Sequence, residues 1–279
     1  MNRTMEEKLQ LRIYGDASLP TLIYLPGLHG DWTLIASFRN AVARKVRFVE
    51  MTYPRALDWS LDDYATAIKN ALLQNGIFRG WLLGESFGSQ PLWAMVGRAS
   101  SRSESHNAES GSRGRSPHQK HFQAQGIVLA GGFVKHPMRL IVRLAEKIAG
   151  QISLRLLVAI IFGYAKIARF RYRRSPEILK NIDEFIERRT DLDRRAATHR
   201  LHLIAQNDPG KIAANTKIPV FALTGILDPI VPWHFVRRWL KKNCDALRDY
   251  KIIRRADHNV LSTGTREAAR QILGWMNPK

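Results

Sequence analysis

Across 279 residues there is a single cysteine, Cys244. One thiol closes no intramolecular disulfide and cannot build a cysteine-rich zinc site, so the fold must stand on packing and hydrogen bonds. Long apolar runs are missing too. The longest, residues 156–165, lies between Arg155 and Lys166, and about ten residues cannot cross a bilayer as a helix. The opening MNRTMEEKLQ lacks the apolar segment of a secretory signal. These absences lead to the expectation of a cytoplasmic chain that spans no membrane, with peripheral attachment at a membrane surface left open. Acidic residues are scarce as well: 24 Asp+Glu stand against 44 Lys+Arg, a formal balance of +20. Such a surface attracts polyanions, whether nucleic acid, an anionic membrane face or an acidic substrate. What is present is ordinary for a globular chain. Apolar residues at 45% and charged residues at 24% exclude wholesale disorder, and the length suits one α/β domain carrying an insertion.

Apolar, β-branched runs at residues 9–14, 21–25, 46–52, 80–84 and 126–130 read as strands, several of them buried on both faces. Helical segments lie between them. Residues 31–44 open on Asp31, which can cap, and residues 60–74 begin Ser-Leu-Asp-Asp and stop at Asn75-Gly76. Strand and helix in alternation predict a mostly parallel sheet with helices on both faces. Residues 98–125, rich in Ser, Gly, Arg and His with almost no apolar content, read as a mobile surface loop. From 133 to 206 the strands stop, and basic helical stretches such as 138–149, 154–170 and 176–189 follow. The alternation resumes with a strand at 219–224, a helix at 232–243, a strand at 250–254 and a closing helix at 263–275. The expected organisation is a core of residues 1–132 and 207–279 with a helical insertion at 133–206.

The most specific signal is Gly84-Glu85-Ser86-Phe87-Gly88. It is a G-x-S-x-G placed after the apolar strand Trp81-Leu82-Leu83 and before a helical run. Small flanking residues allow a tight strand-to-helix turn that projects the Ser86 hydroxyl above the sheet, over a helix N-terminus that favours developing negative charge. A serine hydroxyl needs a general base, and the base needs an orienting acid. Asp228 stands in a loop after a strand, within Leu227-Asp228-Pro229, and His258 stands in the loop after the last strand, within Ala256-Asp257-His258-Asn259. The chain order Ser, Asp, His is that of the nucleophile-elbow hydrolases. Asp257 adjoins His258 but neighbours on a strand end point apart, and Asp208 is the weaker alternative acid. His29 reads as a loop-packing or substrate-contact residue, and Glu85 as a buried partner for a backbone group.

On these motifs the chain resembles the α/β-hydrolase family over nearly its whole length outside the 98–125 loop. The resemblance implies an α/β-hydrolase fold with nucleophile Ser86, acid Asp228 and base His258. It also implies an oxyanion hole made by the N–H of Phe87 and that of Leu28, in the loop Pro26-Gly27-Leu28-His29-Gly30 where the family more usually has His-Gly. The implied activity is cleavage of an ester-type bond through an acyl-enzyme, without metal or cofactor. An acyltransferase with the same triad, and a non-catalytic lipid- or protein-binding member, are the alternatives. A serine at position 86 speaks against epoxide opening and dehalogenation, for which the family uses an aspartate there.

The insertion falls where the family places its cap. Leu140, Ile141, Leu144, Leu156, Leu157, Ile160, Ile161 and Phe162 give it apolar faces, which suit an acyl substrate with an apolar group or simply the cap's own packing. Residues 135–200 carry 16 Lys+Arg against 7 Asp+Glu, a surplus of nine out of the total of twenty. With no nucleic-acid motif in sight, this concentration favours an anionic membrane surface or an anionic acyl donor as partner, against the simpler reading of a generally basic surface.

Overall fold

In the computed structural model, which describes residues 8–108, 121–152 and 190–277, the apolar runs become a seven-stranded sheet. Its strands are β1 (Gln10–Tyr14), β2 (Thr21–Leu25), β3 (Arg47–Thr52), β4 (Arg79–Glu85), β5 (Gln123–Ala130), β6 (Val220–Gly225) and β7 (Leu247–Ile253). Their spatial order is β1-β3-β2-β4-β5-β6-β7. β1 is antiparallel to β3 and every other neighbouring pair is parallel. All carboxyl ends from β2 to β7 therefore meet at one edge of the sheet, where open α/β sheets place their ligand sites.

Alternate strand residues feed two cores. Ile23, Leu25, Val49, Leu82, Ile127 and Ala222 pack on one face with Tyr64, Ile68 and Leu72 of α2 (Leu61–Gln74) and with Leu92 and Val96 of α3 (Ser89–Ala108). Leu22, Tyr24, Phe48, Leu83, Val128 and Leu223 pack on the other with Phe38 and Val42 of α1 (Ala36–Val42) and with Ala268 and Ile272 near the C-terminus. Period-two alternation with both sets buried is what a sheet covered on both faces requires.

The Ser60 start of α2 is a capping box: its hydroxyl accepts the Asp63 N–H while the Asp63 carboxylate takes the Ser60 N–H. Asp31 does not cap a helix as the sequence suggested. Its carboxylate accepts the N–H of Thr33 two residues on, a local turn that wins because α1 begins only at Ala36, behind Ile35. The reading of 98–125 as a loop is also corrected at both ends: α3 continues to Ala108, and β5 begins at Gln123. Low apolar content limits burial, not helix formation, and Arg, Ala, Ser and Glu can prolong a helix already nucleated in the core. Residues 109–120 lie outside the described set.

Between β5 and β6 the described residues hold helices only: α4 (Arg139–Gln151), α5 (Asp191–Gln206) and α6 (Gly210–Asn215). α5 opens on a second capping box, Thr190 with Asp193. The expected helices at 154–170 and 176–189, with Leu156, Leu157, Ile160, Ile161 and Phe162, lie outside the described residues. α4 packs on α5, through Arg194 donating to the Ala149 carbonyl at 2.6 Å and His202 meeting Glu146 at 2.8 Å. Beyond β6 come α7 (Trp233–Asn243), β7, the short α8 (Val260–Thr263) and α9 (Thr265–Met276), which packs against α1. Among the described residues no helix is long and apolar enough to cross a membrane.

Candidate active site

Ser86 follows directly on β4 in a single tight turn, Ser86–Gly88, that runs into α3. Its φ is 49°, the left-handed region that a residue with a Cβ enters at a cost of about 1–2 kcal/mol. The two motif glycines make the turn sterically possible. A Cβ on Gly88 would sit 2.1 Å from the Leu25 carbonyl oxygen, and one on Gly84 would sit 2.9 Å from the Ser89 nitrogen. The Ser89 hydroxyl then donates to the Ser86 carbonyl at 2.7 Å. The sequence forces the kink, and the kink turns the Ser86 hydroxyl to the carboxyl edge of the sheet.

Asp228 and His258 reach the same edge because β6 and β7 are parallel to β4. The loops that carry them are tied together: Ile226 N–H donates to the Ile253 carbonyl at 3.0 Å and Leu227 N–H to the Ala256 carbonyl at 3.2 Å. Between these side chains runs an unbroken line of hydrogen bonds. His258 Nδ1 lies 2.8 Å from Asp228 Oδ2, and His258 Nε2 lies 2.9 Å from Ser86 Oγ. An ionised carboxylate only accepts, so Nδ1 carries the proton and Nε2 is free to accept from the serine. Asp228 Oδ1 accepts the N–H groups of Ile230 and Val231, both at 2.9 Å, which fixes the carboxylate's orientation.

The pair is shielded from bulk solvent: the Asp228 side chain is fully buried and that of His258 is 8% exposed. Burial by itself would lower the imidazole pKa, but the hydrogen bond and charge of Asp228, with smaller help from Glu85 and Asp257, raise it above 6.5. The two rival acids are engaged elsewhere. Asp257 Oδ1 accepts from Thr263 Oγ1 and Asn259 N, both at 3.0 Å. Asp208 pairs with Lys135 at 2.5 Å on the surface. Glu85 differs from the expectation of a backbone partner: Tyr24 donates its phenol to Glu85 Oε2 at 2.5 Å. Burial raises the Glu85 pKa against the lowering effects of that bond and of His258.

Phe87 is buried, its ring edge-on to Tyr53 and Tyr64 at 6.1 and 5.7 Å between centroids. Leu28 lies in a turn closed by Gly30 N–H donating to the Gly27 carbonyl at 2.9 Å. The close approach of Gly88 to Leu25 and Pro26 sets that loop against the serine turn.

Two residues near the site escaped the sequence reading. His136 is buried after β5, edge-on to Phe133, with Nδ1 accepting the Met138 N–H at 3.2 Å. Burial and the neighbouring His258 push its pKa down to about 4, partly opposed by Asp228, so it is neutral at physiological pH. Arg200 of α5 is 2% exposed and donates to the Leu28 and Pro54 carbonyls at 3.0 and 3.2 Å. A lone histidine and one arginine in a basic segment carry no motif. The only available signal was the helical phase of Arg200 with Ala196 and Ile204, the buried positions of α5. No group of three or more potential metal-ligating side chains occurs among the described residues.

No known family profile matches the sequence, and no curated protein matches it. The fold is nevertheless shared with solved structures. A hydrolase from Pseudomonas aeruginosa superposes with TM-score 0.73 at 12% identity, over 96% of this chain and 94% of the other. An enol-lactonase from Burkholderia xenovorans gives 0.73 at 15% identity over 96% of both chains. A thermophilic esterase from Thermogutta terrifontis gives 0.70 at 15% identity, over 96% of this chain and 92% of that one. With its parallel sheet, its serine turn after β4 and these structural likenesses, the chain has the α/β-hydrolase fold.

Proposed function

We propose that the protein is a serine hydrolase that cleaves an ester-type bond, a carboxylic ester, thioester or similar, through an acyl-enzyme on Ser86. The observation that carries this reading is the line Asp228–His258–Ser86, at 2.8 and 2.9 Å, ending on a serine with φ 49°. A folding role alone does not account for a strained serine aimed at the one acceptor nitrogen of a buried histidine. Similarity to structures described as an esterase and an enol-lactonase supports acyl chemistry of this kind.

In the proposed reaction Ser86 Oγ attacks the carbonyl carbon as His258 Nε2 takes its proton. Asp228 stabilises the imidazolium that forms. The carbonyl oxygen gains a full negative charge, which the N–H groups of Leu28 and Phe87 are proposed to receive. A donor of this type is worth about 100- to 1,000-fold in rate. His258 then gives the proton to the leaving group, water enters, and the same residues run in reverse to release the acid.

The favoured substrate carries an apolar group. Leu140, Ile141, Leu144 and Ile148 form one exposed stripe on α4, and Ile226, Leu227 and Ile230 stand exposed around Asp228. Exposed apolar side chains concentrated in two segments mark a binding surface better than scattered ones do. The excess of cations makes an anionic membrane face or anionic acyl donor the partner to test beside it, by co-sedimentation with neutral and anionic liposomes at two salt concentrations.

The reading is tested by labelling with a fluorophosphonate probe, followed by a panel of esters of increasing acyl length. Covalent labelling of the wild type and its loss in Ser86→Ala are expected; labelling that survives the substitution rejects Ser86 as nucleophile.

A further inference from the structure

Among the described residues Arg200 is the one arginine in the set of largest fully buried side chains, and no described carboxylate pairs with it. A buried cation without a counter-ion is costly unless its N–H groups are satisfied, and here three nitrogens each have an oxygen. Nη1 donates to the Leu28 carbonyl at 3.0 Å, Nη2 to the Pro54 carbonyl at 3.2 Å and Nε to the Tyr64 hydroxyl at 3.4 Å. The guanidinium also lies over the Tyr53 ring, 5.6 Å from its centroid. Tyr53 and Tyr64 are the rings that pack on Phe87. One side chain thus touches the Leu28 turn directly and Phe87 through two aromatic rings. Gly30 records the same fit, because a Cβ there would lie 2.4 Å from Nη1.

We infer that Arg200 is a positioning residue that holds the Leu28 turn and the Phe87 turn in register for binding an oxyanion. This rests on the serine-hydrolase reading. Arg200 fixes the Leu28 carbonyl, and the Gly30 N–H fixes the Gly27 carbonyl at 2.9 Å, whose planar peptide carries the Leu28 N–H; both peptide planes of Leu28 are thereby held. The anchor comes from the segment between β5 and β6. Its helix is further fastened to the 53–60 region by Arg55 with Asp193 at 2.6 Å and by His199 with the Trp59 carbonyl at 2.8 Å. The oxyanion side of the site would then depend on how α5 is seated, while the triad, built on β4, β6 and β7, would not.

The test compares wild type, Ser86→Ala, Arg200→Lys and Tyr64→Phe, using an ester substrate and a boronic acid that mimics the tetrahedral intermediate. Lysine keeps the charge and loses the fork. For Arg200→Lys the expected result is a fall in kcat and in boronate affinity of roughly 100-fold, with KM and the acid limb of the pH profile unchanged. If Arg200→Lys lacks a cooperative melt, Tyr64→Phe decides: a parallel loss of roughly two- to tenfold in kcat and boronate affinity is expected. A folded Arg200→Lys with wild-type boronate affinity, or one whose KM and pH profile move as much as kcat, overturns the positioning role. So does an unaltered Tyr64→Phe where that variant decides. Turnover retained in Ser86→Ala would instead remove the hydrolase reading itself.

Discussion

Two buried carboxylates raise the His258 pKa, and their surroundings differ. Asp228 hangs in a loop beyond β6, with two backbone N–H groups on one oxygen and the imidazole on the other. Glu85 ends β4 beside the serine, with the Tyr24 phenol on it. Asp228 receives two backbone donors on Oδ1, which leaves Oδ2 for His258. Among the described residues Glu85 has one side-chain donor, the neutral Tyr24 phenol, and burial raises its pKa. Two carboxylates that raise the pKa of one imidazole can thus differ in the form their surroundings favour, and the supply of hydrogen-bond donors is what separates them.

The comparison is broken most severely by removing His258, whose pKa both carboxylates raise, or the serine hydrogen-bonded to it. Ser86→Ala or His258→Ala is expected to lower kcat by about a million-fold, as groups acting as one unit do, measured with the best ester found in the substrate panel. Asp228→Asn should cost about 10,000-fold, because an amide can present an N–H to Nδ1 and favour the wrong tautomer. A loss of only tenfold would show that another acid orients the ring.

Next in size is the pH dependence. The His258 pKa is raised above 6.5 despite burial, chiefly by Asp228. The acid limb of kcat/KM is therefore expected to have its midpoint above 6.5, and Asp228→Asn should move it to lower pH. Stability carries the same sign. A histidine whose pKa is higher in the folded than in the unfolded chain contributes stability that is complete below the unfolded value. That contribution is lost as pH rises through the folded value. A pH–rate profile and thermal melts across the same range measure both; a midpoint below 6.5 would contradict the raised pKa.

What sequence could disclose follows the range of the interactions involved. Ser86 was legible because its constraint is local: the glycines at 84 and 88 are needed within two residues of it. Ser60 was legible for the same reason, since its capping partner is three residues on. Asp228 and His258 could be proposed from strand order and family pattern, with Asp228 preferred to Asp257 and Asp208, but the backbone ties that bring their loops together across β6 and β7 span too many residues to be read from the sequence. Arg200 was hidden. Its partners Leu28, Pro54 and Tyr64 lie 172, 146 and 136 positions away, and in a segment dense with arginine one buried side chain leaves little trace in composition. The α3 boundary failed on another ground, because apolar content records burial and not the backbone's own capacity to stay helical.

The smallest expected effect is also the sharpest on the comparison. Glu85→Gln keeps an oxygen to accept the Tyr24 phenol and removes the ionisable group, so kcat at neutral pH should change by less than about tenfold, against about 10,000-fold for Asp228→Asn. Glu85 helps to raise the His258 pKa, so the acid limb should shift slightly down. Its own pKa is raised above 4.5 by burial, so the stability it contributes when protonated is complete below 4.5 and is lost as pH rises through its folded value. Melting temperature in Glu85→Gln should therefore fall less steeply with pH just above 4.5 than in the wild type. A loss of kcat as large as that of Asp228→Asn would mean that both carboxylates serve the imidazole, and that the difference in their hydrogen-bond donors is not what separates their roles.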